Sequence, residues 1–151
     1  MRNIRKLLFD HCENNINFKL KRYLKIDQDL LISLNEETKS SAGDKHETTR
    51  AMIQIEREKN SKRIKEIENL KKQLIIIKSA QSDNSKVSPG SIILTSTNNY
   101  FISISSEIFS NDTSKFYCVS INTPIAKAYL GKMIGDIVTF NNIDSKIEKI
   151  I

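Results

Sequence analysis

The chain has 151 residues, enough for one ordinary domain or two small ones. Apolar residues make up 38% and charged residues 28%, which excludes a large spherical core and favours long exposed helices beside a small one. The net charge of +6 lies wholly in residues 1–80, where 18 Lys and Arg stand against 12 Asp and Glu; residues 81–151 carry six of each. A basic surface attracts a polyanion or an acidic protein groove. Cys12 and Cys118 show no CxxC or Cys/His spacing, so neither a zinc site nor a disulfide framework is expected. No apolar run approaches the roughly 18 residues of a membrane span, and the apolar run near the start is too short for a signal peptide. The protein is therefore expected to be cytoplasmic, with no membrane partner.

Residues 1–80 contain no Pro and a single Gly, Gly43. Ile4, Leu7, Leu8, Cys12, Ile16, Leu20, Tyr23, Leu24, Leu30, Leu31 and Leu34 mostly follow three- and four-residue steps, which predicts one stripe of a helix. Met52, Ile55, Ile64, Ile67, Leu70, Leu74 and Ile77 repeat the pattern after the break. Between them lies KSSAGDKHETT, small and polar. Gly43 suits a left-handed helix end, and Asp44 suits the start of the next helix. Asp44 and Glu47 have the i, i+3 relation of a capping box. Residues 1–80 thus predict an antiparallel coiled-coil hairpin, with interruptions at Gln28 and around Lys59 and Asn60. Its tip, residues 36–47, holds four acids and two lysines.

Residues 81–88 read as a polar linker, and Pro89-Gly90 punctuates the chain. Beyond it SIILTS, NYFISISS, FYCVSI and DIVTF are short, β-branched or aromatic, and bounded by turn residues, which predicts strands. NNIDSKIEKII predicts a turn and a last strand. In TPIAKAYLGK, Pro124 suits a first helical turn and Gly131 a helix stop. One short helix against a small antiparallel sheet is an α+β arrangement over residues 89–151. Tyr100, Phe101, Phe116 and Tyr117 read as sheet core, and His11 as a structural residue of the first helix.

Two motifs carry a resemblance. The segment NTPIAKAYLGKMIGD, residues 122–136, resembles the signature of the C-terminal domain of the Gre family of transcript cleavage factors. The matching residues are Thr123-Pro124-Ile125-Ala126, Ala128, Leu130-Gly131-Lys132 and Gly135-Asp136. Gly43-Asp44-x-x-Glu47 between two long helices is similar to the acidic tip of the Gre hairpin. Lys45 and His46 depart from the apolar residue and Ser that the family carries between its tip acids, and Thr123 replaces the commoner Ser.

The resemblance implies an FKBP-like fold for residues 89–151 and docking on bacterial RNA polymerase beside its secondary channel. It implies Thr123, Pro124, Ile125, Lys127, Lys132, Gly135 and Asp136 as partner-binding residues. The hairpin would enter the channel, where Asp44 and Glu47 would help the polymerase hold a Mg²⁺ shared between the two proteins and cleave backtracked nascent RNA. The chain would have no cofactor of its own, would not itself be an enzyme, and is expected to be a monomer. Arg50 and Arg57, seven residues apart on one helical face, are candidate RNA or channel contacts. A bare helix cap at Asp44 and Glu47 is the competing reading. A channel binder that does not cleave, or that inhibits, differs only at the tip. A coiled-coil adaptor or chaperone lacks any link to polymerase, and a pull-down from lysate separates it.

Overall fold

The structure, a computed structural model, describes residues 2–39, 43–80 and 83–151, and within these the side chains of residues 2, 38, 39, 44 and 45 lie outside the described set. Two helices open the chain, α1 (Arg2–Lys39) and α2 (Gly43–Ser79). Six strands and a short helix follow: β1 (Ile92–Thr95), β2 (Asn99–Ser103), β3 (Phe109–Ser110), β4 (Lys115–Ser120), α3 (Pro124–Tyr129), β5 (Ile137–Phe140) and β6 (Ile143–Ile150). This is the expected α+β order of a helical hairpin before a β-rich domain with one short helix. The chain forms two compact units, one of Ile16–Lys71 and one of Met1–Asn15 together with Lys72–Ile151.

In the unit Ile16–Lys71 the helices run antiparallel. Lys71 Nζ donates to Asn17 Oδ1 at 3.2 Å, Asn60 Nδ2 to the Tyr23 carbonyl at 2.9 Å, and Arg57 Nε to Asp27 Oδ1 at 3.1 Å. Nearest the turn, His46 Nδ1 lies 2.6 Å from Glu37 Oε2. The α2 partner falls in number as the α1 partner rises, which fixes both direction and register. Buried and half-buried positions step by four and three through Ile16, Leu20, Tyr23, Asp27, Leu30, Leu34 and Glu37, and through His46, Arg50, Ile53, Arg57, Asn60, Ile64 and Ile67. That is the seam of a coiled coil. Its polar members fill what the sequence shows as interruptions: the break at Gln28 is Asp27 in the seam, paired with Arg57, and the break at Asn60 is Asn60 itself.

Met52 and Ile55, expected on the stripe, are 64% and 52% exposed, and Ile53 takes the seam position. A search for apolar residues alone passes over Arg50 and Arg57 and so slips the α2 register by a residue.

In the other unit the sheet order is β3-β4-β2-β1-β6-β5. Successive residues of the central strands are buried on opposite faces: Ile92 and Ile93 in β1, Phe101 and Ile102 in β2. One face belongs to the cluster of Ile93, Ile102, Ala126, Tyr129, Val138, Ile147 and Ile150. The opposite face is met by the first turns of α1. Phe9 and Phe101 rings meet edge to face at 5.0 Å, Arg5 Nη1 donates to the Gly90 carbonyl at 2.8 Å, and Asn15 Nδ2 donates to Ser106 Oγ at 2.8 Å. His11 is structural, as expected: Nε2 lies 2.7 Å from the Glu107 carbonyl and the ring packs on Phe109. Cys12 and Cys118 are both buried and meet across this contact. The hydrogen bond with Cys12, and then burial, push the Cys118 thiol far up, so it is held protonated and unreactive.

The sheet is mixed where an antiparallel one is expected. β2 and β4 pair in parallel over Asn99–Ser103 and Phe116–Ser120, while every other pair is antiparallel. Residues 104–114 make the crossover that parallel pairing requires. Ile104 is buried within it, and Ser106 and Glu107 are tied to α1, so the segment traverses the sheet before β3 turns it back.

Asn60 is 3% exposed, and its Oδ1 meets no donor among the described residues. One hydrogen bond returns about 1 kcal/mol, whereas an unmet buried acceptor costs about 1–3. Asn60→Leu is therefore expected to raise the urea midpoint while weakening the selection of register; a lower midpoint would show that the bond to Tyr23 dominates. A fragment cut at residue 89 lacks the α1 turns over Phe101. It is expected to bind a hydrophobic dye strongly and to melt without a cooperative transition in calorimetry.

Candidate functional site

The hairpin turn places the first candidate residues. Gly43 has φ of +40°, the left-handed region where a side chain is strained, and its Cβ would meet no non-neighbouring atom within 4 Å among the described residues. Glycine is thus required here by backbone conformation, and α2 starts at once. Asp44 lies in its first turn, and its side chain, with the cap and ligand roles expected of it, lies outside the described residues. Glu47, three residues on, is exposed. Glu37 and His46 are half-buried and paired, which fastens the last described turns of α1 to the first of α2.

Arg50 and Arg57 are both half-buried on the seam side of α2 rather than on an outer face. Arg57 forks onto Asp27, with Nη2 3.5 Å from Oδ2 beside the shorter Nε contact. Its guanidinium therefore serves the hairpin. Among the described residues no three His, Cys, Asp or Glu side chains gather to hold a metal. Glu47, with or without Asp44, offers at most two carboxylates. That suits a hard cation such as Mg²⁺ only where a partner completes the shell.

The segment 122–136 divides by role. Thr123 is the N-cap of α3: its Oγ1 accepts from the Ala126 N–H at 3.3 Å and donates to the Ser120 carbonyl at 2.7 Å. Pro124 occupies the first helical turn, where its missing N–H costs nothing. Gly131, at φ of +81°, donates to the Val87 carbonyl while Val87 N–H donates to Lys132, so a pair of 2.8 Å bonds clips the helix end to the β-domain. Gly135, at φ of +92°, donates to Ile147, and Asp136 Oδ2 accepts from the Met133 N–H at 2.7 Å. Thr123, Gly135 and Asp136 thus shape the backbone.

Exposed and available to a partner are Pro124, Lys127 and Lys132. Ile125 is half-buried and faces a cavity with Tyr100 and Tyr117. Those two tyrosines, expected in the core, stand at its wall; Phe101 and Phe116 are the core residues. Burial raises the Tyr100 hydroxyl pKa above its ordinary value. The sequence reading also missed Met133, Ile134 and Ile137, each more than half exposed. The signal was present: three large apolar residues in a tight Gly-Asp turn cannot all reach a core.

No family model matches the chain. No curated protein matches it. Among solved structures, the chain is similar to the GreA factor homolog 1 (Gfh1) protein of Thermus thermophilus. The similarity has 17% identity and a TM-score of 0.37, over 93% of this chain and 95% of that one.

Thr123→Val keeps the shape of the side chain and deletes the cap oxygen. Its expected cost is about 1 kcal/mol, read as a lower melting temperature in calorimetry, with Thr123→Ser close to the parent. An unchanged melting temperature in the valine variant would remove the capping role.

Proposed function

We propose that the chain is a Gre-type transcription elongation factor, one that binds the secondary channel of bacterial RNA polymerase and stimulates the polymerase's own cleavage of backtracked nascent RNA. The observation that carries this reading is the hairpin turn. Gly43 bends the chain, and the turn that follows brings Asp44 and an exposed Glu47 to the start of α2. The segment 122–136 supports it from the sequence side.

In this reading the factor supplies position and charge, and the polymerase supplies the active site. Asp44 and Glu47 would hold a shared Mg²⁺ through carboxylate oxygens. Such an ion supplies charge stabilisation for the attacking and leaving oxygens of phosphodiester cleavage. The remaining chemistry of the chain is positional. The Glu37–His46 pair sets where the first turn of α2 begins, and so where the Glu47 backbone stands. Asp27 and Arg57 hold the register of the arms. The exposed Pro124, Lys127 and Lys132, beside Met133 and Ile134, would form the docking face, with lysine charge around an apolar centre.

A polymerase-channel binder that does not cleave is the second reading. Two features favour it: Lys45 stands between the two tip acids, and Glu37 is engaged by His46 rather than free to add charge.

An RNA cleavage assay on stalled polymerase separates the readings. The double change Asp44→Ala and Glu47→Ala is expected to abolish stimulated cleavage while leaving polymerase binding nearly intact. Asp44→Asn preserves a cap but removes the charge a cation needs. Lost activity in that variant supports the metal role, and retained activity reduces Asp44 to a cap. Absence of stimulated cleavage by the parent at any Mg²⁺ concentration, with binding retained, would establish the second reading.

A further inference from the structure

A cavity of about 410 Å³ opens beside α3 in the β-domain, and nothing in the proposed function uses it. Tyr100, Tyr117, Tyr129 and Phe140 line it, with Ile125 against them. Every residue in its wall is uncharged. The rings are already arranged as aromatic clusters are: Tyr100 lies 5.9 Å from Tyr117 and 5.3 Å from Tyr129 between centroids, both pairs tilted. A further ring entering the cavity would find faces and edges at the spacing aromatic pairs prefer, beyond the area it buries.

At the mouth stand two exposed carboxamides, Asn98 and Asn141. Asn141 is fixed there by the turn between β5 and β6, where it and Asn142 take φ of 51° and 63°. Asparagine tolerates that conformation better than most residues. A carboxamide offers one acceptor and two donors, which matches the amide of an extended peptide.

Charge narrows the class of occupant. The neutral wall disfavours any ligand whose charge would be desolvated inside. Residues 81–151, which supply the whole cavity wall, carry no net charge, and no charged side chain lines the cavity to draw in a phosphate backbone. We infer that the cavity beside α3 is a binding site for the aromatic side chain of an uncharged, extended peptide segment. The ring enters among the three tyrosines, and its flanking amides meet Asn98 and Asn141. This site is separate from the polymerase reading and stands or falls without it.

The chain itself provides the probe. It has four tyrosines and no tryptophan, and three of the four line the cavity. The fourth, Tyr23, lies in the seam of the hairpin. Full-length protein labelled with 3-fluorotyrosine should give fluorine resonances of which three respond to ligand and one serves as an internal reference. Titration with N-acetyl-Gly-Phe-Gly-amide is expected to move the three cavity resonances saturably and leave Tyr23 in place. The leucine counterpart should bind at least fivefold more weakly, and the lysine counterpart should give no saturable shift. Ile125→Trp fills the cavity and should abolish the response. Tyr117→Leu, at a half-exposed position that tolerates change, should bring the Phe-to-Leu preference down toward one. The inference is overturned if the cavity resonances stay fixed, if Phe and Leu peptides bind alike, or if phenol binds as tightly as the peptide. It is equally overturned if both variants respond as the parent does.

Discussion

Two strands at the centre of the sheet are apolar on both sides, and a sheet of this kind cannot stand with one face in water. Ile93 and Ile102 are covered within the β-domain by Ala126, Tyr129 and Ile147. Ile92 and Phe101 face the other way, and their cover comes from the far end of the sequence, through Phe9 and its neighbours. The first turns of α1 are therefore part of the core of the β-domain. Deleting a buried aromatic such as Phe9 or Phe101 costs about 3–5 kcal/mol, a large fraction of the stability of a small domain. That constraint explains why helical residues 2–15 belong to the same compact unit as the strands.

The hairpin unit solves a different problem. Two apolar stripes can slide past one another by a heptad at little cost, and polar seam residues remove that freedom. Asp27 meets Arg57, Asn60 meets the Tyr23 carbonyl, and Glu37 meets His46, each across the seam. A slip of one turn would strand all three pairs. The Asp27 and Arg57 side chains are about one-third exposed, so their ion pair adds little stability by itself. Its larger effect is on register, and register decides which residues reach the turn.

Much of this was legible in the sequence. The absence of Pro and the single Gly43 marked two helices and one turn; Pro124 and Gly131 marked a short helix; β-branched runs marked the strands. The polar seam was not legible, because a search by hydropathy treats Arg57 and Asn60 as interruptions when they are members. The parallel pairing of β2 with β4 was not legible either. Local pattern reports that a strand exists but not which neighbour it takes, and the anchors of the crossover, His11 and Asn15, lie about ninety residues earlier in the chain. At the candidate site residue types were legible but their orientation was not. The sequence named Thr123, Gly135 and Asp136 beside Pro124, Lys127 and Lys132, and only hydrogen bonding separates those that build the turn from those that face outward.

The union of residues 1–15 with residues 72–151 has a consequence for synthesis. A ribosome releases α1 first, and the arms of the hairpin can pair as soon as α2 has emerged. Phe9 and Cys12 gain nothing from that pairing, since their partners are Phe101 and Cys118. Until β4 has left the exit tunnel, the beginning of the chain carries an uncovered apolar face. At ordinary elongation rates that interval lasts seconds, long compared with helix formation and collapse. The newborn chain thus passes through a stage in which a finished hairpin ends in an unsatisfied root, the species in its biogenesis most prone to aggregate or to engage a chaperone.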